Sequence, residues 1–138
     1  MKRNVVIVLA VVAGGALFVG LVYAVLVAGR VSEPAATTVY GLTPRRLWAT
    51  SVAVLSLIGV GIGGLALARV STASGPLGAS LALGFGLIGA INGALNVAIA
   101  SGGPGTGNGV VGGAAAFVLG LIAVAVGGLA LARSRRTA

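Results

Sequence analysis

"LGASLALGFGLIGAINGALNVAIA", residues 77–100, decides how this chain folds. It carries no Asp, Glu, Lys or Arg, and half of its positions are Gly, Ala or Ser. A bilayer core of about 30 Å needs roughly 20 apolar residues wound as a helix. The stretch is long enough, and nothing in it objects to lipid. Three other uncharged apolar runs match it: Val5–Ala28, Leu47–Ala68 and Val110–Ala132. The sequence therefore predicts an all-α, polytopic membrane helical bundle of four transmembrane helices, forming one membrane domain over residues 1–138. Residues 29–46 and 101–109 are its outer loops, and residues 133–138 form a basic tail.

Composition agrees. Of 138 residues, 58% are hydrophobic and 7% charged, and the mean hydropathy is +1.16. A soluble domain carries about 25% charged residues because its surface faces water. This chain cannot clothe a globule in charge. Its single acid is Glu33, and it has neither histidine nor cysteine. That inventory removes the usual metal ligands, thiol nucleophiles, histidine bases and paired carboxylates. We expect no cofactor, no metal site and no enzyme.

The net charge of +8 would suggest nucleic acid in a soluble protein. Here the basic residues stand at the ends of apolar runs, where they set topology and meet lipid headgroups. Arg45, Arg46, Arg69, Arg133, Arg135 and Arg136 are the expected headgroup anchors, with Trp48 and Tyr40 as aromatics at the same depth. No nucleic-acid partner follows from that placement; membrane lipids do. With the N-terminus inside, Lys2, Arg3, Arg69, Arg133, Arg135 and Arg136 fall in the cytoplasm, against Arg30, Arg45 and Arg46 outside. Both termini are thus expected in the cytoplasm. Arginine in preference to lysine, among abundant Ala, Gly and Val, points to a GC-rich genome and a bacterial plasma membrane.

Local signals mark the helix starts: Thr43-Pro44 as a cap with proline in the first turn, Gly75-Pro76, and Asn108-Gly109. Val5–Ala28 has two readings. It is a retained helix by length, or a cleaved signal with Met1-Lys2-Arg3-Asn4 as its charged start, although signal cores run about 7–15 residues. Cleavage would leave three helices.

Helices in lipid associate where small residues let their backbones approach. Residues 77–100 hold a four-residue ladder, Gly78, Ala82, Gly86, Ala90, Ala94 and Ala98, with Gly89 and Gly93 beside it. Gly59 and Gly63 repeat the spacing in the preceding run. Gly113, Gly120 and Gly127 recur every seven residues in the last one. Asn92 and Asn96 are polar groups inside the membrane. They act either as interhelical glue or as the lining of a polar path. "GGLALAR" occurs at 63–69 and again at 127–133, with "VLSLIGVGI" and "VLGLIAVAV" ahead of the two copies. A duplicated helical hairpin is the natural reading.

"GGPGTGNGVVGG", residues 102–113, contains a G-x-G-x-x-G. A dinucleotide site needs a strand before that pattern and an acid about 20 positions after it. Here an apolar run precedes it and no acid follows, so no nucleotide is expected. The stretch reads as a polar turn between two membrane helices, with free amides at the following helix start that could hold an anion or a lipid headgroup.

Taken together, "YGLTPRRLWAT" at 40–50, "GGPGTGNGVVGG" at 102–113 and "GGLALARSRR" at 127–136 resemble a family of small actinobacterial membrane proteins catalogued as a domain of unknown function. The likeness spans roughly residues 40–136. It implies a membrane setting and a leader before Tyr40, and it carries over no activity, cofactor or site residue. The function expected is a non-enzymatic accessory or scaffold protein working through helix–helix packing, as a homo-oligomer or with a larger membrane protein. The alternatives are a small channel or passive transporter lined by Asn92 and Asn96, and a lipid-binding envelope protein.

Overall fold

The computed structural model describes residues 44–72, 74–100 and 108–137, with Lys2 and Val8 besides. Apart from Val8, the expected helix Val5–Ala28 lies outside the described residues, as do Arg30, Tyr40, Thr43 and the glycine loop up to Gly107. Three helices make up the rest: α1, Pro44–Ala68; α2, Gly75–Ile99; and α3, Val110–Arg136. Each is long and apolar enough to cross a membrane. At about 1.5 Å per residue, the shortest exceeds the thickness of a hydrocarbon core. There is no strand among the described residues.

α1 begins at Pro44, where the Thr43-Pro44 signal places a helix start, so Arg45 and Arg46 stand in its first turn and not in the outer loop expected over residues 29–46. α3 continues past Ala132 to Arg136. Arg133, Arg135 and Arg136 thereby form its last turn, where cations oppose the negative end of the helix dipole. Nothing in Arg-Ser-Arg-Arg breaks a helix, and the Thr137 amide still donates to the Arg133 carbonyl at 3.3 Å. Between α1 and α2 the chain turns at Arg69–Ser74, held by Thr72 Oγ1 and the Thr72 amide, both donating to the Arg69 carbonyl.

Each helix buries a line of mostly small residues at seven-residue spacing, and α2 buries Ser80, Gly84, Ile88 and Ala90 beside its own. On α1 the line is Ala49, Val52, Ser56, Gly59, Gly63 and Ala66; on α2 it is Gly75, Ala79, Ala82, Gly86, Gly89, Gly93 and Asn96; on α3 it is Gly113, Ala116, Gly120, Ala123, Gly127, Ala130 and Ser134. The steps alternate between three and four residues. That is the seven-residue repeat of a coiled coil, whose inner positions usually hold Leu, Ile or Val. Here Gly, Ala and Ser hold almost all of them. The bulky apolar residues point the other way: Leu57, Ile58 and Leu65 on α1, Ile91 and Leu95 on α2, and Val118, Leu121 and Leu129 on α3 are all exposed. A water-soluble protein arranges these sizes in reverse. Every helix packs against the other two, most extensively α2 against α3.

Candidate functional site

The small-residue lines meet in backbone contact. A methyl group on Gly86 of α2 would stand 2.7 Å from the Val124 amide nitrogen and 2.8 Å from the Gly120 carbonyl oxygen of α3. One on Gly93 would collide with the Phe117 amide, and one on Gly120 with the Ala90 amide. One on Gly127 would meet the Ala79 carbonyl oxygen at 3.0 Å. The pairs Gly93 with Gly113, Gly86 with Gly120, and Ala79 with Gly127 step in opposite directions along the two chains, so α2 and α3 are antiparallel. Helices reach this distance only where side chains are absent.

The two GGLALAR copies lie side by side. Gly63 faces Gly127, Gly59 faces Ala123, Ala66 clusters with Ala130 over Ala79, and Val52 clusters with Ala116 over Ile88. Each of these four α1 residues therefore faces the α3 residue at the equivalent position. α1 and α3 run parallel and in register, with α2 lying antiparallel along both. Ala82 sits between the copies, in reach of methyl positions at Gly63 (3.2 Å) and Gly127 (3.0 Å).

The ladder at four-residue spacing divides. Ala82, Gly86 and Ala90 are buried and Gly78 is half-buried, but Ala94 and Ala98 are exposed. Four residues turn a helix by one revolution plus about 40°, so a long ladder of that spacing swings out of the interface. Gly89 and Gly93, on the seven-residue line, remain inside. The methyl position of Gly89 is taken by Ser56 Oγ of α1. Ser56 is fully buried and donates to the Val52 carbonyl (2.9 Å) and the Ala116 carbonyl of α3 (3.2 Å). This hydroxyl joins all three helices. Sequence reasoning passed over it, because a lone serine in an apolar run gives no periodic signal.

Asn92 and Asn96 do not act together. Asn92 is half-buried, and its Nδ2 donates to the Ile88 carbonyl of its own helix at 2.9 Å. Asn96 is 1% exposed, and neither its Oδ1 nor its Nδ2 has a hydrogen-bond partner among the described residues.

The expected anchors divide between the two ends of the bundle. Arg45 Nη1 donates to the Ile99 carbonyl at 2.9 Å, capping the end of α2 from the start of α1. Arg46 and Trp48 are half-buried in the same stretch, and Trp48 packs on the Val52–Ile88–Ala116 cluster. Arg69, Arg133, Arg135 and Arg136 are exposed at the opposite end. Where α1 and α3 begin, a cleft of about 460 Å³ opens between them, lined by Arg46, Ala49 and Thr50 on one side and Asn108–Gly112 on the other. Among the described residues no group of His, Cys, Asp or Glu could hold a metal.

With the bundle described, its relatives can be placed. A family model, described as a family of unknown function (DUF6223), matches residues 44–138. The chain belongs to this family. The match opens on the first residue of α1 and takes in all three helices. No curated protein and no solved structure matches.

Proposed function

We propose that this DUF6223 member is a non-enzymatic membrane accessory protein whose bundle docks another transmembrane helix, from a second copy or from a larger membrane protein. Its setting in this reading is the bacterial plasma membrane, with both termini cytoplasmic as the basic residues favour. The observation that supports docking is a notch on α1. Gly61 and Gly64 are exposed, and no described atom lies within 4 Å of a methyl position on either. Exposed Leu57, Ile58 and Leu65 border them. The other glycines singled out in the three helices are committed to packing inside the chain. Among the described residues these two leave bare backbone on the outside, the surface that a second helix in lipid can approach closely. Gly61→Leu and Gly64→Leu are expected to leave the bundle folded and to abolish association, read as loss of the higher band on native electrophoresis in mild detergent. Unchanged assembly in both variants overturns the reading.

A further inference from the structure

α2 is buried on two opposite sides. Its Ala82 lies between α1 and α3, against Gly63 and Gly127. A helix turns about 100° per residue, so Ser80 and Gly84, two positions either side of Ala82, are turned about 160° away from it. Both are buried all the same, Ser80 completely. α1 and α3 meet α2 on the Ala82 side, at Gly78, Phe85, Gly86, Gly89 and Gly93, which leaves the back of α2 to something else. Neighbours on its own helix do not account for the burial. Gly61 of α1, bordered by Leu57, Ile58 and Leu65, is exposed, whereas Gly84, bordered by Leu81, Leu87 and Ile88, is not.

The patch also says what suits it. Leu77 and Ile91, on the same face before and after it, are exposed, so the cover crosses α2 at an angle instead of lying along it. Ser80 Oγ donates to the Pro76 carbonyl of its own helix at 2.9 Å, which leaves an apolar partner as the fitting one. Ser80-x-x-x-Gly84 is the spacing at which a second helix comes close in lipid. Of the longer stretches outside the described residues, 101–107 is tied to the far end of α2, and Gly84 lies about 24 Å from that end at 1.5 Å per residue. Residues 29–43 carry Arg30 and Glu33. Val5–Ala28 is uncharged and long enough to cross lipid, and within it Val8 is helical and half-buried.

We propose that Val5–Ala28 stays in the mature chain as a fourth transmembrane helix and crosses the back of α2 at Ser80 and Gly84. The connection of residues 29–43 reaches up to about 50 Å when extended, enough to pass from the start of α1 to the far side of α2. A run that crosses once and ends at the start of α1 is parallel to α2. Counted from their starts, Ala13 is the ninth residue of the run and Gly84 the tenth of α2. The small residues Ala13, Gly14, Gly15 and Ala16 thus come level with the patch. The notch at Gly61 and Gly64 lies on another helix and stays open, so this inference is independent of docking there.

The chain has no cysteine of its own, so the contact can be read by cross-linking. Ser80→Cys, close to the native size, is combined with one further cysteine at each of residues 6 to 17 in turn. The full chain is oxidised mildly in its membranes, alkylated, and weighed intact. Unbridged chains take two labels and bridged chains none, and the same mass shows whether Val5–Ala28 is present. The expected result is a full-length chain that bridges within itself at positions three or four apart. Bridging should exceed at least tenfold that of the same scan paired with Leu57→Cys on the exposed face of α1. Gly84→Leu should abolish it, and Gly61→Leu should leave it intact. Four results overturn the proposal: a mature chain without Val5–Ala28, no bridge at any position, bridging no stronger than with Leu57→Cys, or a bridge between two chains, which seats a second copy on this face. Should Gly84→Leu fail to fold by circular dichroism, the scan alone decides.

Discussion

At the scale of single residues, two kinds of glycine differ in what surrounds them. A side chain on Gly86 or Gly120 enters the backbone of the facing helix, whereas one on Gly61 enters open space. Overpacking a close interface costs about 1–3 kcal/mol. Gly86→Ala and Gly120→Ala are therefore expected to lower thermal stability in detergent, followed by circular dichroism, while Gly61→Ala leaves it unchanged or raises it. Equal melting of all three variants would contradict the packing described here. Ser56→Ala removes the hydroxyl that joins α1 to the Ala116 carbonyl. Such bonds in membranes are worth about 0.6 kcal/mol on average, so a small loss is expected, and a larger one in Ser56→Val, which crowds Gly89. Asn92 and Asn96 illustrate the limit of reading residues from spacing. They are four apart and look like one pair, yet the four-residue step rotates Asn92 off the seven-residue line that holds Asn96, Gly89 and Ala82.

At the scale of elements, the helices were legible because charge disappears from the apolar runs and returns at their ends. Their buried faces were legible only in part. A helix that is apolar all round has no polar face to mark the opposite one. Gly113, Gly120 and Gly127 stood out by their rarity of side chain, whereas their partners Ala116, Ala123 and Ala130 were hidden among other alanines. The last turn of α3 was misjudged because arginines read equally well as tail or as helix. The repeat was visible as a string, but the contact between its copies was not, since similarity alone says nothing about adjacency. That contact is testable. The chain has no cysteine of its own, so Ala66→Cys combined with Ala130→Cys should cross-link under mild oxidation within one chain. Ala66→Cys with Ala116→Cys should not, because the second site lies about 20 Å further along α3 at 1.5 Å per residue. A cross-link in the second pair and none in the first would refute the parallel register.

At the scale of the whole molecule, small residues inside and large ones outside make a bundle stabilised by close backbone packing rather than by hiding oily side chains from water. Lipid is the solvent in which that arrangement is stable, because leucine exposed to hydrocarbon costs nothing. The same physics leaves the Gly61–Gly64 notch as a place for one more helix. Native mass spectrometry of the gently solubilised full chain tests this most directly. It should record the chain with a stoichiometric companion, either a second copy or a different membrane protein, and the companion should be lost in Gly61→Leu and Gly64→Leu. A wild-type spectrum of the single chain alone, unchanged by those substitutions, would contradict it.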